Sequence, residues 1–194
     1  WVKLNLERYI HRLKNKFLVW YAGVDKQFWM PNNKEKNKNV LIYWKTEPES
    51  FCIDIEKTLR KHRWNPIRIK YGTYSPDQFK LLLNQSQFAV FISKSESQGI
   101  ALAEAWSMNV PTIVWNPQVP IEYLGVRYKN VSSCPYLTFD TGIAWKSLDE
   151  LEVILSNISL ALGMFKPREW VLKNMTDEVS AQMLIDIIIE SFKK

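Results

Sequence analysis

Short apolar runs alternate with longer amphipathic stretches through most of the chain, which is the pattern of strands followed by helices. Leu4, Leu6, Tyr9, Ile10 and Leu13 are spaced for a helix over residues 1–16, and the apolar run at residues 17–21 predicts a short strand. Asn39 to Trp44 predicts a buried strand. Pro48 then opens a helix with Phe51, Ile55 and Leu59 on one face, which closes near Trp64-Asn65-Pro66, and residues 67–71 predict the next strand. Ser75-Pro-Asp-Gln78 has the form of a capping box with proline at the first helical position, so a helix should run from there to about Ser86 with Phe79, Leu82 and Leu83 inward. Residues 88–92 predict a strand, 99–108 a helix, 111–115 a strand and 136–139 a short edge strand. Ser147-Leu-Asp-Glu150 is a second capping box, starting a helix through Ile154, Leu155 and Ile158. A last helix covers Asp177 to Phe192, with Val179, Met183, Leu184, Ile187 and Ile188 as its apolar stripe. The alternation predicts an α/β fold, a Rossmann-like parallel sheet with helices on both faces.

Composition narrows what such a fold could be for. At 194 residues and 46% hydrophobic content the chain can bury one sizeable core, and one domain is expected rather than disorder. Cys52 and Cys134 lie far apart in no metal-like spacing, which argues against a disulfide framework or a zinc site and fits a reducing compartment. No apolar stretch reaches the roughly 18 residues that span a bilayer, so a cytoplasmic location is expected. The net charge of +6 and pI near 9.2 favour phosphate, in nucleic acid, anionic lipid or a small molecule, and leave open a peripheral position at the inner face of a membrane. Much of the basic excess lies in Lys3, Arg8, Arg12, Lys14 and Lys16, then in Lys34, Lys36 and Lys38, where Asn and Glu alternate with the lysines as in a solvated loop. Most aromatic rings fall in apolar runs, which suits core packing better than base stacking, and no specific nucleic-acid partner is expected. His11 and His62 sit in charged, helix-like stretches, form no nucleophilic or metal constellation, and are expected to be structural.

Candidate chemistry concentrates in Ser93-Lys-Ser-Glu-Ser-Gln-Gly-Ile-Ala-Leu-Ala-Glu-Ala-Trp106. Two glutamates, Glu96 and Glu104, have seven residues between them, with Gly99 inside. The run follows a strand and leads into a helix, so one carboxylate falls on a loop at the carboxyl end of a strand, the glycine at the helix start, and the second carboxylate just over one turn inside. Open parallel sheets bind ligands at that edge.

Taken in order, Gly23-Val-Asp25 with Phe28 and Pro31, the Ser95-Glu-Ser-Gln-Gly99 loop, Glu104-Ala105, Val110-Pro-Thr-Ile-Val114 and Lys166-Pro-Arg-Glu-Trp170 resemble the donor-binding, carboxyl-terminal lobe of retaining GT-B glycosyltransferases, family 4 in particular. The resemblance covers nearly the whole chain. It implies one lobe over residues 1–194, with 1–16 a linker helix from a preceding lobe and 166–194 a terminal helix returning to it. The opening Trp1-Val-Lys, without an initiator methionine, resembles the end of that first lobe, so a longer parent protein is expected.

The resemblance also implies a UDP- or GDP-sugar as donor substrate, no cofactor and no metal, and an acceptor glycan, lipid or small molecule held by the other lobe. Gly99 and the free backbone N–H groups of Ile100 and Ala101 would meet the diphosphate at a helix start, and Ser95 and Gln98, on the same loop, would also contact the donor. Glu104 would accept hydrogen bonds from the ribose hydroxyls. Glu96, the candidate catalytic residue, would contact the transferred sugar beside the reacting carbon, orienting it rather than acting as a base. Lys45 would stabilise the leaving diphosphate, although the Gly-Arg usual after this strand is replaced by Trp44-Lys45, and Thr46-Glu47-Pro48-Glu49 offers no second cation. Tyr71-Gly-Thr-Tyr74, with Gly72 and Thr73 as the candidate contacts, matches the place where the backbone meets the nucleobase. Each residue has a structural alternative: a glycine chosen for turn geometry, a first-turn glutamate facing the helix dipole, a solvated loop carboxylate or strand-end lysine, and a simple turn at Gly72 and Thr73. For the chain as a whole, the alternative is a non-catalytic module that binds sugar nucleotides or proteins.

Overall fold

The computed structural model describes residues 1–10, 12, 14–32, 36–123 and 125–192. Five parallel strands, β1 (Asn39–Trp44), β2 (Asn65–Lys70), β3 (Ser86–Ile92), β4 (Thr112–Trp115) and β7 (Gly142–Trp145), form one sheet in the order β2-β1-β3-β4-β7. Between them run α2 (Glu49–Lys61), α3 (Pro76–Gln85), α4 (Ile100–Ser107) and a short antiparallel hairpin, β5 (Ile121–Tyr123) with β6 (Val126–Tyr128). Three further helices, α5 (Leu148–Ala161), α6 (Pro167–Asn174) and α7 (Asp177–Phe192), follow the sheet, and α1 (Val2–Tyr9) precedes it. The fold is therefore the α/β, Rossmann-like one that the strand-helix alternation predicts.

Strand alternation divides the core into two layers. Leu41, Tyr43, Ala89, Phe91 and Val114 point to the face covered by α3, α4 and α6. Val40, Ile42, Phe88, Val90, Ile92 and Ile113 point to the face covered by α2 and α5. The central strands β1 and β3 are buried nearly throughout. At the edge, β2 includes Pro66, tolerated there because an edge strand has a side with no neighbour to receive an N–H.

Local signals fix the helix starts. Ser75 Oγ accepts from Gln78 N at 3.2 Å and Ser147 Oγ from Glu150 N at 3.3 Å, so both capping boxes initiate helices. Arg168, from the Lys166-Pro-Arg segment, donates to the carbonyls of Trp29 and Ser107, placing a cation on the carboxyl end of α4. Asp25 Oδ1 accepts from the N–H groups of Gln27 and Phe28, and Val24 bridges Thr176, so Gly23-Val-Asp25 clasps the start of the chain to the α6–α7 junction. No helix of the described residues is long and apolar enough to cross a membrane.

Several elements differ from the sequence expectation. Residues 17–21 form no strand: Trp20 Nε1 donates to Ser180 O and Ser180 Oγ to Tyr21 O, so the segment spends its polar groups on α7 and never reaches the sheet. The edge strand expected at 136–139 is a turn, where Thr141 N and Gly142 N both donate to Thr138 O and Phe139 is 96% exposed; the true last strand begins at Gly142. The first helix stops at Tyr9, short of residue 16. Of the region expected as one terminal helix, the described part to Phe192 holds two, because Thr176 Oγ1 caps a new one by accepting from Val179 N. Ile188, expected on the inward stripe of α7, is about half exposed. In the expected solvated loop Lys38 is exposed, but Lys36 is half-buried: its ammonium donates to Asn109 O at 3.4 Å, and burial lowers its pKa to about 8. His62 is structural, with Nε2 2.6 Å from Glu152 Oε2, whereas His11, Leu13 and Lys34 lie outside the described residues.

Gly142 shows how tightly β7 closes on β4. Its φ is +157°, and a Cβ there would lie 1.9 Å from the Thr112 carbonyl oxygen, with backbone rather than a flexible side chain in the way. Gly142→Ala is expected to cost about 3 kcal/mol of unfolding free energy, in the range for overpacking. Gly163→Ala, where nothing lies within 4 Å, should stay within about 0.5 kcal/mol of the parent. Urea midpoints of the two variants measure this directly.

Candidate functional site

The strand order reverses between β1 and β3: from β1 the chain moves outward to β2, and from β3 it moves the other way to β4. The loops that leave these two strands therefore part, opening a crevice at the carboxyl edge of the sheet. A cavity of about 370 Å³ occupies it, large enough for a small organic ligand. Lys45 follows β1, Glu96 follows β3, and Gly99 to Glu104 form the start of α4. All four of Lys45, Glu96, Gly99 and Glu104, together with Gln98, Ile100 and Ala101, line the cavity.

Its floor is aromatic. Tyr43 and Phe91 are register partners on β1 and β3 and stack with ring centroids 4.7 Å apart. Tyr71 and Tyr74, just beyond β2, form the adjoining wall, and Tyr74 OH donates to Tyr43 OH at 3.3 Å. Burial of both phenols raises their pKa values, so they stay neutral and act as apolar surface with polar tips.

Gly99 holds the turn from loop to helix. With φ 66° and ψ 44° it occupies the left-handed region, and a Cβ would lie 3.1 Å from Leu102 Cδ1. The N–H groups of Leu102 and Ala103 both donate back to Gly99 O. Those of Ile100 and Ala101 have no acceptor among the described residues and face the cavity end of the helix dipole.

The charges are arranged unequally. Lys45 Nζ lies 3.0 Å from each carboxylate oxygen of Glu96, under the ring of Tyr71 at 4.7 Å. The Glu96 backbone is fixed as well, its N–H donating to Ser132 O at 2.9 Å and its carbonyl accepting from Trp1 Nε1 at 2.7 Å. Glu104 has no such neighbour: among the described residues its carboxylate makes no ion pair and no hydrogen bond, and burial pushes its pKa up to about 7. An ionisable group partly shielded and unpaired in a cleft is a functional-site candidate.

Not every expected residue reaches the cavity. Gly72 and Thr73 are exposed at the tip of the β2–α3 turn, where Thr73 N and Oγ1 both bond Lys70 O; their neighbours Tyr71 and Tyr74 are the ones that line the wall. Ser95 stands outside the lining, its carbonyl accepting from Ser93 Oγ at 3.0 Å. Gln98 lines the cavity but its amide is committed: Oε1 accepts from Tyr136 OH and Ala22 N, and Nε2 donates to Trp20 O. The amide fastens the loop to the amino-terminal segment. Conversely, Tyr43, Phe91 and Ser133 line the site without having been singled out. The period-2 alternation of β1 and β3 would have placed Tyr43 and Phe91 together on one face. A second cation also reaches these loops: Lys94 Nζ lies 3.7 Å from Glu47 Oε1, across the same gap between the β1 and β3 loops. No group of three or more His, Cys, Asp or Glu side chains able to hold a metal ion occurs among the described residues.

No family model matches the chain, and no curated protein sequence does. Solved structures share its fold. The carboxyl-terminal domain of a glycosyl transferase group 1 family protein from Francisella tularensis matches with a TM-score of 0.58 at 13% identity, over 80% of this chain and 100% of that one. Sucrose-phosphate synthase from Thermosynechococcus elongatus matches with a TM-score of 0.61, also at 13% identity, over 98% of this chain and 57% of that one. The chain thus spans little more than half the length of the synthase. At this identity the likeness is one of fold, that of a GT-B carboxyl-terminal lobe.

Glu104 makes stability depend on pH in a predictable direction. Because its folded pKa, about 7, lies above the ordinary carboxylate value, the folded chain binds the proton more tightly than the unfolded chain. Stability from this group is complete below about pH 4.5, declines as pH rises through about 7, and is constant above that. Glu104→Gln removes the titration. It should match the parent at pH 4 and exceed it at pH 8 by on the order of 2 kcal/mol, read from the difference in urea midpoints.

Proposed function

We propose that the chain is the donor-binding lobe of a retaining glycosyltransferase, similar to family 4, that takes a UDP- or GDP-sugar. Joined to an amino-terminal lobe that presents the acceptor, it would transfer the sugar with retention of configuration. The observation that carries this proposal is the Glu104 carboxylate, half-buried and without a protein partner in the crevice at the strand-order reversal, one helical turn inside the free N–H groups of Ile100 and Ala101. A nucleotide matches that spacing of chemistry. Its ribose diol supplies two donors for the carboxylate, and its diphosphate suits the N–H groups and the positive end of α4.

The remaining groups take complementary roles. Tyr71 and Tyr74 offer a flat apolar wall for the base, and Lys45 meets the charge that gathers on the diphosphate as the bond between sugar and phosphate breaks. The acceptor hydroxyl then attacks from the face the diphosphate leaves, and its proton passes to the departing phosphate oxygen. Glu96 orients the transferred sugar. These roles need no cofactor and no metal from the protein, and the two buried, free thiols, Cys52 and Cys134, suit a reducing cytoplasm.

Calorimetric titration with UDP, GDP, UDP-glucose, GDP-mannose and inorganic pyrophosphate tests the assignment. At least one nucleotide should bind saturably, and Glu104→Ala should weaken it at least tenfold, a change of about 1.4 kcal/mol or more, while leaving pyrophosphate unchanged. Absence of saturable binding to every nucleotide, or indifference to Glu104→Ala, would point instead to a protein-interaction module that has kept only the fold.

A further inference from the structure

One charge arrangement in the crevice goes beyond donor recognition. Lys45 Nζ is equidistant from both oxygens of Glu96, at 3.0 Å, and the two side chains are only 25% and 18% exposed. Shielded in this way, the pair is held more strongly than a surface ion pair, and each partner satisfies the other. Tyr71 covers the ammonium at 4.7 Å and limits where it can move. The Lys45 N–H donates to Ile92 O, which pins the lysine backbone to β3. The second cation on these loops, Lys94, stands beside Glu47 and does not line the cavity. One ammonium therefore faces two anionic claims: the Glu96 carboxylate it already bonds, and any diphosphate seated at the start of α4.

We infer that Glu96 is an intramolecular competitor of the diphosphate for Lys45, and that this competition makes the site select a sugar-bearing nucleotide over a bare one. The inference rests on the donor-binding assignment above. A diphosphate that draws Lys45 away leaves the Glu96 carboxylate shielded and unpaired, which is costly. A sugar on the distal phosphate offsets that cost, because its hydroxyls donate to the freed carboxylate. A bare nucleoside diphosphate offers no such donors. After transfer, once the sugar has gone, Lys45 returns to Glu96 and the nucleoside diphosphate loses its cation, which favours release. The same carboxylate thus orients the sugar and discriminates against the product.

Glu96→Gln and Glu96→Asp, titrated calorimetrically with UDP, UDP-glucose, GDP and GDP-mannose, test the competition. Removing the charge in Glu96→Gln should tighten bare nucleoside diphosphate about tenfold and lower the ratio of sugar-nucleotide to nucleotide affinity by at least that factor. Glu96→Asp, which keeps the charge on a shorter arm, should fall between Glu96→Gln and the parent. In a Lys45→Met background, Glu96→Gln should leave nucleotide affinity unchanged, since the contested cation is gone. A merely structural Glu96 would weaken all four ligands together. Nucleotide binding by the parent with bare-nucleotide affinity unchanged or weakened in both Glu96 variants would overturn the competition and leave the donor site standing. No nucleotide binding by either parent or variants would overturn both.

Discussion

Side-by-side pairing of β1 and β3 is the constraint on which the rest of the site depends. The two strands are parallel and in register from Val40 opposite Phe88 to Trp44 opposite Ile92, and both are buried on both faces. Because their chains continue to opposite sides of the sheet, the loops that leave them must separate. The floor of the resulting crevice is made from the strands themselves, Tyr43 on Phe91, while its rim carries Lys45 from one loop and Glu96 from the other. A slip of one residue in either strand would send Tyr43 or Phe91 to the opposite layer and break the floor.

The scaffold then holds an unpaired, half-buried carboxylate in place. Glu104 is carried on α4, a helix fixed at its start by the left-handed turn at Gly99 and at its end by Arg168 on the Ser107 carbonyl. Behind it, Trp106 Nε1 donates to Thr112 Oγ1 at 2.9 Å, tying the helix to β4. These contacts hold α4, and with it the partly shielded carboxylate, at the crevice. Functional groups kept at a cost to stability are usual where a ligand supplies the missing partner. Glu96 shows the other solution, a carboxylate already satisfied by a neighbour that a ligand would have to displace.

Much of this was legible in the sequence because it is encoded locally. The two capping boxes at Ser75 and Ser147, the uninterrupted apolar runs of β1 and β3, and Gly99 between a loop and a helix each depend on neighbours a few residues away. What was missed depends on distant partners. Residues 17–21 have the composition of a strand, yet Ser180 takes their hydrogen bonds; Gly142-Ile-Ala-Trp145 has a weak strand signal and is a strand because β4 offers it an edge. The commitment of the Gln98 amide to Trp20, Ala22 and Tyr136 and the pairing of Lys45 with Glu96 across 51 positions likewise have no local signature.

The proposed nucleotide diphosphate would seat at the start of α4, in the crevice between the β1 and β3 loops. Backbone amide NMR of the ¹⁵N-labelled chain, titrated with UDP and GDP, addresses it residue by residue. The largest shifts are expected on the amides of Gly99, Ile100 and Ala101, with smaller ones at Lys45 and at Tyr71 to Tyr74. Shifts confined to the basic stretch around Arg8, Arg12, Lys14 and Lys16, or no shift at residues 99–101 at saturation, would contradict it.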